Sequence, residues 1–166
     1  MSACSLWAHG RLVPGSASRS APAARYLTER RRLQRRRALA TLRSIAADRS
    51  SIPLEEILEP LGISLEPRPH AGPPCVPAVL VSIAPTTRVH VAAGEQRIVL
   101  TRDVRSLVCR LSHRPSAVPP ILLVCFESRL FLNDGHHRLV ASRLLGVPIA
   151  AEVHGLARVY AMRLQA

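Results

Sequence analysis

The chain has 166 residues, 48% of them apolar, and a formal net charge of +12. That length suits one domain with a tail, and no apolar stretch approaches the roughly 20 residues a membrane-spanning helix needs. The four cysteines (Cys4, Cys75, Cys109, Cys125) have no metal-finger or C-x-x-C spacing. The first residues lack a charged segment followed by an apolar run, so reduced thiols in a cytoplasmic setting are expected.

All 23 basic residues are arginine, and they are unevenly placed. Residues 1–50 hold eleven arginines against two acids, whereas residues 51–166 hold twelve against nine. Position is therefore more informative than total charge.

Residues 1–50 read as an arm, largely disordered or partly helical. Its first 24 residues are rich in Ser, Ala, Gly and Pro and show no apolar period, so little burial is available to offset ordering entropy. Then come Arg30, Arg31, Arg32, Arg35, Arg36 and Arg37, basic on every side. Leu39, Leu42 and Ile45 follow at three-residue spacing, which predicts an amphipathic second half. The arginine run can contact DNA or RNA by releasing counterions. A purely solvating arm and an organellar transit peptide are the alternatives.

Residues 51–77 predict a short helix and a stiff loop. Ser51 and Pro53 precede Glu55 and Glu56, a pattern that opens helices, and Pro60 and Gly62 stop it. Five prolines lie between Pro67 and Pro77. Residues 78–166 predict the folded α+β domain. Val79-Leu80-Val81, the alternating Thr87, Val89 and Val91, and Ile98-Val99-Leu100 suit strands. Thr101 is the expected N-cap of a helix with Val104, Leu107, Val108 and Leu111 on one face. Ile121 to Phe126 and Leu130 to Leu132 predict a hairpin around Glu127-Ser128-Arg129. A last helix is expected from about Gly135 to Leu145 with Gly146 as its left-handed cap, and Ile149 to Val153 closes the domain.

The run Asp134-Gly135-His136-His137-Arg138 sits where the hairpin passes into that last helix. Helix starts carry unpaired N–H groups and partial positive charge and so favour anions, phosphate above all. Arg138 adds a permanently charged donor fork suited to phosphate oxygens, unless it forms an ion pair with Asp134 or Glu152. Asp134 has three open roles: turn former or cap, magnesium or phosphate-linked ligand, and general base. His136 and His137 are adjacent and point about 100° apart on a helix, so they do not chelate one ion without further ligands such as Asp134 or His154.

Hairpin strand, D-G-H-H-R, a helix ending in Leu-Gly, and a short Pro-led strand together resemble the ParB/sulfiredoxin superfamily, and its ParB-like N-terminal domain in particular. Val118-Pro119-Pro120-Ile121-Leu122-Leu123-Val124 is similar to the strand that leads into the family's motif. The resemblance covers about residues 118–154. It implies a small α+β domain with a short mixed sheet and a helix after the D-G-H-H-R loop. By resemblance, Gly135 admits phosphate close to the backbone, His136 and His137 line the pocket, and Arg138 grips a nucleotide phosphate. Asp134 would hold magnesium with a nucleoside triphosphate, or orient a donor. Sulfiredoxins carry a catalytic cysteine immediately before the His-Arg pair. Here that residue is His136, so sulfinic acid reduction is not expected. ParB partition proteins continue into a helix-turn-helix domain and a dimerisation region, so a complete partition protein is not expected either.

The expected function is a nucleotide- or phosphate-binding module, DNA-associated and regulatory or accessory. A phosphotransferase or nuclease-type enzyme on the same fold is an alternative, with Asp134, His136 and His137 as catalytic candidates. A nucleic-acid contact protein acting through the arginine arm is the other.

Overall fold

The computed structural model of the chain describes residues 21–67, 77–92 and 97–155. The first described element is α1 (Ala21–Ala46), rich in Ala, Leu and Arg, all strong helix formers. Disorder is expected over residues 1–24, yet Ala21 to Ala24 already belong to α1, where the run of helix formers continues into the anchored helix. Residues 1–20, residues 68–76 of the proline-rich segment, and Cys4 and Cys75 lie outside the described residues. The expected amphipathic half of the arm is helical, but its buried stripe is Ala38, Leu42 and Ala46, with Leu39 and Ile45 partly buried beside it. That spacing of four residues matches one side of a 3.6-residue period.

The chain then forms β1 (Ser51–Pro53) and α2 (Leu54–Leu58), which ends in a 3₁₀ turn at Glu59–Leu61. Two short strands, β2 (Ser64–Glu66) and β3 (Val79–Ile83), lie on either side of the proline-rich segment. They are followed by β4 (His90–Ala92), β5 (Ile98–Leu100) and α3 (Thr101–His113). The hairpin β6 (Ile121–Phe126) and β7 (Arg129–Asp134), helix α4 (His136–Leu145) and β8 (Ile149–His154) complete the described chain.

Six strands form a mixed sheet in the order β2-β4-β7-β6-β8-β3. The β6–β7 pair is antiparallel and β6–β8 is parallel, while β2, β4 and β7 run parallel to one another. Glu127 and Ser128, both at positive φ, make the two-residue hairpin loop, so Arg129 belongs to β7 and pairs with Phe126. Separately, β1 and β5 form a two-stranded antiparallel ribbon. The α+β class with a mixed sheet and a helix after the motif loop is as expected.

One buried cluster joins all of this. It holds Ala38, Leu42 and Ala46 of α1, Ile52, Leu54 and Ile57 of the next segment, and Val81, Val91, Leu123, Leu139, Ala141 and Ala151 of the sheet and α4. The core therefore draws on residues well before Ala78. Helices α1, α3 and α4 touch one another, as their mutual contacts show. The C-terminus of α4 has the expected cap: Gly146 is left-handed at φ 64°, its N–H donates to Arg143, and the Val147 N–H donates to Ser142. The expected Thr101 cap is not made. Thr101 is the first residue of α3 itself, and its hydroxyl donates to the Arg49 carbonyl at 2.8 Å, tying α3 to the chain after α1.

Candidate anion site at the start of helix α4

The motif stands at a bulge. Leu122 pairs with Asp134 but Leu123 pairs with Leu132, so Asn133 is an extra residue in β7 just before the turn into α4. Such a bulge bends the strand and re-aims the side chains that follow it. Gly135 then takes φ 97°, a left-handed conformation that carries the chain into α4 without any side-chain cap. The first intrahelical bond of α4 is from the Leu139 N–H to the Gly135 carbonyl. The N–H groups of His136, His137 and Arg138 thus have no acceptor within the helix.

Gly135 is required by space as well as by φ. A Cβ there would lie 2.8 Å from Ile121 Cγ2 and 3.1 Å from Arg138 Cζ. The side of Gly135 that a ligand was expected to approach is filled by Ile121 and the Arg138 guanidinium.

Arg138 is the most heavily engaged residue of the motif. Its Nη2 donates to Asp134 Oδ2 at 2.7 Å, one helical turn back, and its Nη1 donates to the carbonyls of Pro119 and Pro120. The Arg138 side chain is only 18% exposed, while Asp134 is 67% exposed. Of the two ion pairs open at the sequence level, the one with Asp134 is formed. Glu152 instead pairs with His154 at 3.4 Å on β8, so His154 is not brought to the motif. The guanidinium brackets the proline segment before β6 against the start of α4. Two of its five N–H donors, one on Nη2 and the Nε–H, stay outside these bonds.

The two histidines turn toward β5. Their rings meet at 4.2 Å between centroids, tilted 38° to each other. His137 Nε2 accepts the Leu100 N–H at 2.9 Å, and His136 hydrogen-bonds the Ile98 backbone. Burial pushes both imidazoles below the ordinary histidine range. The neighbouring His137 lowers His136 further, whereas the Asp103 carboxylate partly offsets the shift at His137. Both are therefore neutral at pH 7, and His137 carries its proton on Nδ1 because Nε2 is accepting.

Sequence reasoning named the five motif residues and missed their partners. The Pro119 and Pro120 carbonyls left a faint signal, since neither proline can donate a backbone N–H and their carbonyls still need a partner. Nothing in the spacing pointed to Leu100. Nor did it point to a second polar cluster on the sheet. There His90, only 5% exposed, meets Ser64 Oγ at 2.8 Å and Glu66 Oε1 at 3.3 Å, with Arg129 on Glu66 at 3.1 Å. Both partners reach the same ring nitrogen, Nδ1. A serine–histidine–acid relay needs one on each nitrogen, so this is a packed polar network.

Among the described residues, no group of three or more His, Cys, Asp or Glu is placed to hold a metal, and no helix is long and apolar enough to cross a membrane. Cys109 and Cys125 are free thiols, and burial raises the Cys125 thiol above its ordinary value. The chain matches no family model, no curated protein and no solved structure.

Proposed function

We propose that the protein is a ParB-like nucleotide- or phosphate-binding module, regulatory or accessory in role, whose anion site is the start of α4. The observation that carries this reading is the left-handed Gly135. It opens the helix with no side-chain cap and leaves the first-turn N–H groups without an intrahelical acceptor. The β7 bulge immediately before it supports the same reading, because bulges recur beside sites where a side chain has to be re-aimed.

In this reading each residue has a restricted task. The N–H groups of His136 and His137 meet phosphate oxygens. Arg138, held by the Pro119 and Pro120 carbonyls, offers its remaining Nη2 donor from a fixed position. Asp134 competes with the phosphate for Arg138. A magnesium ion would relieve that competition by taking the carboxylate, with phosphate oxygens and water as its other ligands. The imidazoles position and line the site. His137 Nε2 is spent on the Leu100 N–H, so proton transfer is not assigned to it.

The test is equilibrium binding of labelled CTP, ATP and ADP, with and without magnesium, to the full chain and to Arg138→Ala. Loss of one charge-assisted contact weakens binding by about 1.5–3 kcal/mol, roughly 10- to 150-fold. Because Arg138 also brackets the proline segment, the variant's urea midpoint is measured alongside. A folded Arg138→Ala with unchanged affinity removes Arg138 from the site, and no binding across the panel overturns the reading.

A further inference from the structure

The nucleotide reading leaves the arginines of α1 unused. Only the C-terminal part of α1 is docked: Ala38, Leu42 and Ala46 are each 1% exposed. Ahead of Ala38, residues 25–33 are all exposed, Gln34 and Arg35 are partly covered, and Arg36 and Arg37 are exposed again. At about 1.5 Å per residue, Arg25 to Arg37 make a rod of roughly 18 Å continuous with the anchored part. That rod carries seven arginines and one acid, Glu29. Arg35 is the arginine turned back to the domain, with its Nη1 2.9 Å from His113 Nε2 at the end of α3. Among the described residues, no salt bridge engages Arg30, Arg32, Arg36 or Arg37.

Their positions around the axis are ordered. At about 100° per residue, the direction opposite the buried stripe runs through Tyr26 and Leu33, one heptad apart. Both side chains are exposed, at 64% and 50%. Arg32 and Arg36 flank that line on one side, while Arg30 and Arg37 flank it on the other. Tyr26, Glu29, Arg30, Arg32, Leu33 and Arg36 line one shallow surface depression. The outer face is thus a narrow strip with arginines along each edge, and the one acid, Glu29, sits between Leu33 and the Arg32–Arg36 edge.

We infer that this face of α1 docks in the major groove of duplex DNA. The B-form major groove, about 12 Å wide, admits an α-helix with a phosphate backbone on either side. Two arginine rows on the two flanks of one helix match two phosphate walls, and the strip between them faces the base edges. The deep, narrow major groove of A-form RNA does not admit a helix in this way. A membrane-surface helix needs a broad apolar face opposite its charges, whereas Tyr26 and Leu33 make a strip two side chains long with charge on both flanks. The core holds the helix by its far end, so the arginines are presented in fixed register by the domain.

The experiment is fluorescence anisotropy of the full chain with a short labelled DNA duplex, an RNA duplex of the same sequence, and phosphatidylserine–phosphatidylcholine vesicles. Four phosphate contacts give a slope of about −3.6 in log affinity against log salt, close to a 150-fold loss between about 50 and 200 mM salt. Replacing Arg30, Arg32, Arg36 and Arg37 by Gln, a residue of similar helix propensity at exposed positions, abolishes that slope. Gln34→Pro removes no charge and leaves the anchored part intact but breaks the rod, and it weakens DNA binding. Arg138→Ala leaves DNA binding unchanged, which separates this inference from the nucleotide site. A wild-type slope retained in the quadruple variant, full affinity in Gln34→Pro, or preference for the RNA duplex or the vesicles over DNA would overturn the proposal.

Discussion

Arg138 and the arginines of α1 carry the same guanidinium in opposite circumstances. Arg138 spends three bonds on Asp134 and the Pro119 and Pro120 carbonyls, and most of its side chain is covered. Arg30, Arg32, Arg36 and Arg37 sit on an exposed rod that the domain grips from one end. A guanidinium with internal partners fixes the backbone around it and has few donors to offer. One that is exposed and unpaired contributes little to stability, because surface pairs are worth about 0–1 kcal/mol at best, and is available to a polyanion. Formal charge is identical in the two places. Availability is what differs.

The largest expected effect that sharpens this contrast is at Gly135. Gly135→Ala adds a Cβ 2.8 Å from Ile121 Cγ2 at φ 97°. Left-handed strain and overpacking together cost about 4 kcal/mol, read as a lower urea midpoint at unchanged m-value. A near-neutral variant would mean that the α4 start is loosely packed, and the contrast with α1 would collapse.

Next is Leu42→Ala, which tests whether α1 belongs to the fold. Leu42 is 1% exposed within the common core, and its truncation should cost about 3 kcal/mol in the same denaturation experiment. A loss below about 0.5 kcal/mol would show that α1 is a loose arm whose arginines are not held in register.

The smallest effect is a pH dependence set by buried histidines, two at the start of α4 and one on β4, with none from α1. Burial holds His136, His137 and His90 below the ordinary histidine value in the folded state. The unfolded chain therefore binds more protons than the folded one below about pH 6.5, and stability falls as pH is lowered through that value. Each such histidine contributes a slope of at most about 1.4 kcal/mol per pH unit. His136→Gln with His137→Gln should flatten the profile between about pH 5 and 6.5, whereas the quadruple arginine variant of α1 should leave it unmoved. An unflattened profile in the histidine variant would place both imidazoles in solvent.

Much of the α4 region was legible from residues alone. Gly146 and the two positions around it dictate a left-handed C-cap, and the Asp134-to-Arg138 run marked the helix start. Local rules suffice there, since caps and turns depend on neighbours in the chain. The Thr101 cap was misread because a hydroxyl can serve either its own helix or a distant carbonyl. The Arg49 carbonyl, brought near by the β1–β5 ribbon, won that competition.

Composition, the positions of the arginines, the α+β alternation and the identity of the motif were determined by the sequence itself, because each depends on residue chemistry or on spacing along a few turns. Which arginines are spent and which are free, which way His136 and His137 face, and that the core reaches back to Ala38 were decided only by tertiary structure. Those outcomes turn on pairs of residues many positions apart, such as His137 with Leu100 and Arg138 with Pro119. Local periodicity carries no information about such pairs, and packing settles them once the sheet and its helices have closed over a single core.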